Sequence, residues 1–586
     1  MKKKIHSIIC IMIASMMVLS ACGSQSTGSS NKALEDSTNA ESRESGNTAA
    51  SAEGVFDESG VSEEGQFPIV KDTIELTVMV PSSASIQDIT TNDFTQWYED
   101  KTNIKINWIV VPAESLADKV NISLSSGDMP DIYLDCNITQ TQQSVYGSQG
   151  AFLPLNDYIE KYGAVYKDIA SQINGLNEVM TMSDGKIYAL PYVEKCVHCE
   201  NSSKMWVNKR WLDNLDMEIP TTVEEFENML IAFKEQDPNG NGVADEIPML
   251  TFEGGWHSDA LSGWLINPFV YTSPDDNYVY LNDGKIELAY MQDGWKDAMK
   301  WLNSLYNAGL YYDQSLIMNN DQARQVATAE DGTALVGCFP NGVPNAVPGD
   351  AAEQWGDYIA ISPIEGDAGR YVTYAPYNQI NPTKFVITSA CKYPEAAFRW
   401  GVEQYNKDIW FMKAFGQEGT GWVRVTPGEG DIPADAVDLN TGVPSEVATF
   451  ADGIGWGDEQ NYCWRGIGLR CDTPDAPSYR YNQYQIGDYE SNMEYRLAFD
   501  TRDNMNPYNP DISMCLPPLV YDEAQATEMA NSQSVILSYV KETAARFITG
   551  DLDAEADWDA YLQELEVKGV TNLRDIYQAA YDAKYK

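Results

Sequence analysis

Positive charge is scarce in this chain and histidine is almost missing. Against 87 aspartates and glutamates stand 39 lysines and arginines, with three histidines, giving a formal net charge of −48 over 586 residues. So acidic a surface repels nucleic acid and anionic lipid headgroups, and disfavours strongly anionic ligands wherever local lysines or arginines do not offset it. Solubility accounts for most of that charge. The shortage of histidine bears on metals. Cys196 and Cys199 form a C-x-x-C around His198, yet zinc asks for a second ligand pair at similar spacing, and beyond the N-terminal leader His257 is the one other histidine. The eight cysteines from Cys136 to Cys515 therefore read as buried thiols or one or two disulfides. No HExxH, Walker loop, nucleophile–base motif or internal repeat is present, and no apolar run after the leader is long enough to span a membrane.

What is there begins at the N-terminus. Lys2, Lys3 and Lys4 precede a nearly all-apolar run from Ile8 to Leu19. That run is too short for a finished transmembrane helix but suits the core of an export signal. Leu19-Ser20-Ala21-Cys22 resembles the bacterial lipobox. The resemblance implies a signal peptide over 1–21 and a diacylglycerol on Cys22, anchoring the exported chain to the outer face of the cytoplasmic membrane. Residues 22–66 carry few large apolar side chains, so they read as a disordered tether with a span of about 35–40 Å.

From residue 67 the pattern is ordered. Thr73 to Val80 alternates as a strand, Phe94, Trp97 and Tyr98 recur at helical spacing, and Ile104 to Val111 is a second strand. Leu116, Val120 and Leu124 mark a helix ending at Gly127, and Pro130 to Asp135 a short third strand. This alternation predicts a parallel α/β sheet with ligands beyond the carboxyl ends of its strands. A second α/β block spans about Ser203 to Gly369. In it, Thr221 and Thr222 stand three residues before Glu224 and Glu225, a doubled helix-start signal. Lys384 to Thr388 returns to strand and Pro394 to Trp400 to helix. Two helices close the chain, around Trp558 to Leu565 and Leu573 to Ala580, separated by Gly569.

Two segments carry chemistry. In Asp237 to Pro248, the side chains of Asp237, Asn239 and Asn241 fall at alternate positions, Gly242 allows a tight turn, Val243 can offer its carbonyl, and Asp245 and Glu246 add carboxylates. Such an oxygen shell suits a structural Ca²⁺, although an EF-hand's bidentate glutamate would fall at Pro248. The other reading is a metal-free Asx-rich turn. The second signal is aromatic. Fifteen tryptophans and thirty-four tyrosines exceed what core packing requires. Trp256, Tyr374, Tyr377, Trp422 and Trp456 lie in polar or glycine-rich loops. Aromatic faces of this kind stack on the CH-rich faces of sugars.

With these motifs in order, the chain resembles the family 1 extracellular solute-binding lipoproteins of ABC importers, in the branch of alginate-oligosaccharide-binding and LplA-like proteins. The residues that carry the resemblance are 126–132, 184–191, 207–212, 220–226, the 237–246 loop, 416–419, 546–550 and 576–581. The resemblance implies a two-lobed type II periplasmic-binding-protein fold over 67–586, with hinge crossovers and no enzymatic turnover. Lobe 1 is expected at about 67–200 and 375–430, and lobe 2 at about 201–374 and 431–586. It also implies a calcium site, an oligosaccharide ligand and two membrane permease subunits as partners of a monomer. Asp135, Tyr192, Trp256, Tyr377, Glu418 and Trp422 are the candidate sugar contacts. A surface glycoside hydrolase, with two carboxyls about 5–9.5 Å apart, is the rival among enzymes; a peptide-binding protein of the same fold is the rival among binders.

Overall fold

The computed structural model describes residues 56–586, except 174, 195, 197, 350, 431–433, 435–446, 450–458, 472–488 and 490–491. The expected signal peptide, Cys22 and Trp456 therefore lie outside the described residues.

The first sheet grows as the alternation predicts. In β1 (Ile74–Pro81) Leu76, Val78 and Val80 face the core. The helix Asp93–Thr102 starts where the Asn92 side chain accepts from the Phe94 N–H at 3.1 Å, buries Phe94 and Tyr98, and leads into β2 (Ile104–Val111). The helix Leu116–Ser126 buries Leu116, Val120 and Leu124 and stops at Gly127, whose φ of 75° a side chain would resist. β3 (Ile132–Leu134) follows, wholly buried, and then β4 (Ala189–Val193). From there the chain crosses to β5 (Lys204–Asn208), β6 (Ile247–Met249), the hairpin β7 (Val279–Asn282) and β8 (Lys285–Leu288), β9 (Val336–Asn341) and β10 (Tyr358–Ile361), and returns in β11 (Ile380–Ile387).

Two main sheets result, ordered β2-β1-β3-β11-β4 and β10-β5-β9-β6. β1 runs parallel to β2 and β3, as expected, but β11 is antiparallel to both β3 and β4. The reason is topological. β3 and β4 both end at the edge where β11 enters the sheet, so β11 must run against them. The same rule makes β5 antiparallel to β9 and β10. The helix Val223–Glu235 is capped by Thr222, whose hydroxyl accepts from the Glu225 N–H at 3.2 Å, and it buries Phe226, Leu230 and Phe233. Glu225 reaches back one residue further than a standard box, to the Thr221 N–H at 2.8 Å. The 27-residue helix Glu523–Thr549 and the two terminal helices, Trp558–Val567 and Val570–Tyr585, pack in the second lobe's core. Among the described residues, no helix is long and apolar enough to cross a membrane.

Two boundaries differ from the sequence expectation. Residues 431–586 were expected in lobe 2, but Trp464, Ile467, Leu469 and Cys471 pack in the first core. Trp464 sets its ring edge-on to Phe94 and Trp108, with centroids 4.8 and 5.5 Å apart, and donates to Thr95 at 2.7 Å. The chain thus returns once more to lobe 1. The tether was expected to reach residue 66, yet 56–66 form a strap on lobe 1. Val61 and Ser62 are buried; Asp57 accepts from Lys161 at 2.9 Å and Tyr162 at 2.5 Å; Glu64 caps the helix Ala164–Gln172 through two backbone N–H groups at 2.7 and 2.8 Å. Beneath the strap, Arg399 donates to the carbonyls of Ser62 and Gln66 and to Glu403 at 2.6 Å, and Glu403 accepts from Gly65 at 2.7 Å. Polar composition concealed this order, because hydrogen bonds rather than apolar area hold most of the strap.

Removing Arg399 would leave a buried Glu403 uncompensated. Arg399→Ala is therefore expected to cost about 3–5 kcal/mol of stability, measured by urea unfolding. A variant unchanged within error would show that the strap contributes nothing.

Candidate functional site

The crossovers identify the facing edges of the two lobes. The chain leaves β4 at Val193 and enters β5 at Lys204; it leaves β10 at Ile361 and enters β11 at Ile380. Ile380 pairs with Val193 in the first sheet, and Lys204 with Asn341 in the second. The carboxyl ends of β3, β4, β6 and β9 therefore gather where the lobes join, the location expected for a ligand.

On the lobe 1 edge stands a charged cluster. Asp135, just past β3, has φ 55° and is 6% exposed. Its carboxylate accepts from Lys384 at 2.5 Å and from the Gly468 N–H at 2.7 Å. Each oxygen accepts one of these bonds, so Asp135 holds Lys384 and the returning chain in place, and its low exposure leaves little of it open to the sugar contact expected of it. Tyr192, half-buried on β4, has the Lys384 ammonium 5.4 Å from its ring centroid and accepts from Arg470 at 3.5 Å. Arg470 also pairs with Glu194 at 3.2 Å and lies over the Trp410 ring. Lys413 is buried beside them and donates to the Leu469 carbonyl. Lys384, Arg470, Lys413 and Glu194 were not singled out from sequence. Only the fold brings them together, although the low count of basic residues makes such a concentration notable.

On the lobe 2 edge, Trp256 is 39% exposed, the one tryptophan among the large exposed apolar side chains of the described residues. It sits in the loop after β6. One side rests on Gly342, where an added Cβ would come within 2.2 Å of the indole, and its carbonyl accepts from the Gly342 N–H at 2.9 Å. The His198 ring on the crossover meets it edge-on at 6.1 Å. Its neighbour His257 is bonded to Ser202 of the same crossover at 2.8 Å and lies 3.3 Å from Asp275. Trp256 is thus a rigid platform tied to the hinge.

The remaining aromatic and acidic candidates are dispersed. Trp422 is 2% exposed, packs on Phe411 at 4.8 Å and donates to the Gly416 carbonyl at 2.9 Å. It is a packing residue, not the sugar platform expected. Glu418 is exposed and pairs with Arg424 at 3.4 Å. Tyr377 covers Gly175 and lines a cavity of about 360 Å³ with Asp276, Tyr521 and Tyr577. Burial raises the Asp276 carboxyl there to about 7. Most tryptophans are buried, Trp206, Trp264, Trp295 and Trp400 among them, so the aromatic abundance serves the cores more than the sequence reading allowed.

The 237–246 loop is a tight knot of oxygens. The Asp237 carboxylate accepts from the Gly242 N–H at 3.0 Å, and Asn239 and Asn241 accept from the next-but-one backbone N–H groups at 3.0 and 2.7 Å. The amides of Asn239 and Asn241 turn toward the Asp245 carboxylate at 3.4 and 3.1 Å. Glu246 Oε1 is buried with no hydrogen-bond partner, and burial, then Asp237 and Asp245, raise the Glu246 carboxyl above its ordinary range. A buried orphan acceptor among all-oxygen donors fits a hard divalent cation. Val243, with an exposed side chain, keeps its carbonyl in the same turn.

Two α/β lobes joined by crossovers, with polar and aromatic groups on facing edges, define a two-lobed binding protein. The chain belongs to the bacterial extracellular solute-binding proteins, whose family model matches residues 81–401. FusA of Streptococcus pneumoniae, described as a fructooligosaccharide ABC transporter substrate-binding protein, is 26% identical over 593 residues, 98% of this chain and 97% of its own. FusA structures with kestose, and as an EF-hand mutant with fructo-nystose, superpose at TM-score 0.62 and 23% identity over 87% of this chain and 99% of theirs. An extracellular solute-binding protein from Bifidobacterium longum subsp. infantis gives TM-score 0.71 at 21% identity, over 88% and 99%. Lipoprotein LipO of Bacillus subtilis is 27% identical over 257 residues, 43% of this chain and 47% of its own.

Burial draws the Lys413 ammonium down to about 7, against the opposing influence of Asp135. Between pH 7 and about 10.4 the unfolded chain binds a proton that the folded chain does not, so stability rises with pH across that window. Lys413→Met is expected to flatten this rise in urea midpoints measured from pH 7 to 10. An unchanged slope would mean that Lys413 stays charged when folded.

Proposed function

We propose that this chain is the exported, lipid-anchored substrate-binding component of an oligosaccharide ABC importer. It would capture a glycan between its lobes without chemical turnover and deliver it, as a monomer, to two permease subunits. The observation that carries this reading is the near end-to-end match to FusA. Trp256 and Tyr192 on the facing edges support it: an exposed indole offers a stacking face, and Lys384, Arg470 and Glu194 offer hydroxyl partners. Glu418 and Tyr377 are candidate contacts only at the periphery. Closure follows from the ligand's additional contacts with the second lobe, since a ligand shifts an equilibrium only by its differential affinity. The lipid on Cys22 rests on the lipobox pattern, with the B. subtilis relative LipO named as a lipoprotein.

We also propose a structural Ca²⁺ held by Asp237, Asn239, Asn241, the Val243 carbonyl, Asp245 and Glu246. The oxygen set and the orphaned Glu246 support it, as does the naming of an EF-hand in FusA. A bound cation would neutralise carboxylates now set against one another.

Calorimetry with a panel of neutral and acidic oligosaccharides should find a binder, and Trp256→Ala should weaken it about tenfold or more, on the order of 1–2 kcal/mol. Binding of peptides but of no saccharide would overturn the assignment, and release of reducing ends from the same glycans would replace it with a hydrolase. Chelation should lower the melting temperature without sugar, by a stabilisation of about 2.7 kcal/mol if calcium had stood at 100 times its Kd. Glu246→Gln should abolish that response; a chelator-insensitive melt would remove the calcium proposal.

A further inference from the structure

Cys196 and Cys199 form a disulfide in the crossover that joins β4 to β5. The sequence reading set zinc aside for want of a second ligand pair. The fold supplies a different third ligand: a His198 ring nitrogen and the two sulfurs all lie within 4.8 Å of one another. The turn is closed by the Cys199 N–H donating to the Cys196 carbonyl at 3.0 Å. It is also held from below, because the buried Lys204 ammonium donates to the His198 carbonyl at 2.9 Å and to the Asn201 carbonyl at 2.5 Å. The three donor residues are half-buried.

The geometry points to a latent binding site for a thiophilic divalent cation such as Zn²⁺ on Cys196, His198 and Cys199, exposed when the disulfide is reduced. Two thiolates and an imidazole are the donor types zinc prefers, and three protein ligands leave the fourth tetrahedral position for water. The balance is simple. A dithiol reductant gives two electrons and two protons, its own sulfurs joining as a disulfide while the Cys196–Cys199 bond becomes two thiols. The cation then displaces both thiol protons to solvent. In an exported chain the oxidised form is the resting one, so the site reports a local reductant at the hinge beside Trp256. The six other described cysteines are buried within the lobes and lie outside this cluster.

The test uses the mature chain reduced with dithiothreitol, freed of reductant under nitrogen and titrated with Co²⁺ as the spectroscopic stand-in for Zn²⁺. Reduced wild type should bind one equivalent with a thiolate-to-cobalt charge-transfer band that Zn²⁺ displaces. The oxidised protein, and Cys196→Ser/Cys199→Ser after the same reduction, should show no such band. His198→Ala should weaken binding by at least about tenfold. Since the oxidised wild type is itself a folded reference without the site, a poorly folding double variant does not blunt the test. A reduced wild type with no more charge-transfer band than its oxidised form would overturn the proposal. So would a His198→Ala protein that binds cobalt as tightly as wild type.

Discussion

The link between Asp135 and Lys384 ties together three stretches of chain that are far apart in sequence. Lys384 lies in the middle of β11, Asp135 stands just past β3, and the second carboxylate oxygen of Asp135 takes the N–H of Gly468 in the last return to lobe 1. The Asp135 N–H in turn donates to the Lys384 carbonyl at 2.7 Å. A buried ion pair adds little net stability, but removing one member is costly, so it acts as a register device. Strand β11 comes back from the other lobe with no local turn to align it, and this contact sets its place against β3. The same contact brings Lys384 over Tyr192 and leaves Arg470 and Lys413 beside it. In a chain so short of positive charge, the cations at this edge stand where they do because of one carboxylate.

The β4–β5 and β10–β11 crossovers depart from and arrive at facing sheet margins, so the antiparallel strands β5 and β11 follow from connectivity rather than from side-chain preference. The two margins carry one exposed indole and a set of mutually paired charges. Paired charges of this kind can exchange partners with a ligand's polar groups without leaving any ion uncompensated.

Much of this was legible from residues alone, for identifiable reasons. The alternation of 73–80, the stop at Gly127, the Thr222 cap and the helix break at Gly569 are local signals, and the structure follows each of them, the strand shifted by one residue to Ile74–Pro81. The facing of the 237–246 side chains is equally local, because alternate spacing within a tight turn fixes it. What could not be read was set by contacts distant in sequence. Trp422 sits in a glycine-rich stretch and looked available, but Phe411 and the Gly416 carbonyl enclose it. Asp135 had the right position and the wrong freedom, since its partners lie 249 and 333 residues away. The strap at 56–66 resembled the polar sequence before it, and only Arg399 and Glu403, far downstream, give it a fixed seat.

That seat has a mechanical consequence. Residues 56–66 are laced to lobe 1 alone, through Lys161, Tyr162, Arg399 and Glu403. Any pull along the polypeptide from its amino end is therefore borne by one half of the protein. The other half bears none of that load through the strap, because the strap's hydrogen-bond partners all belong to lobe 1.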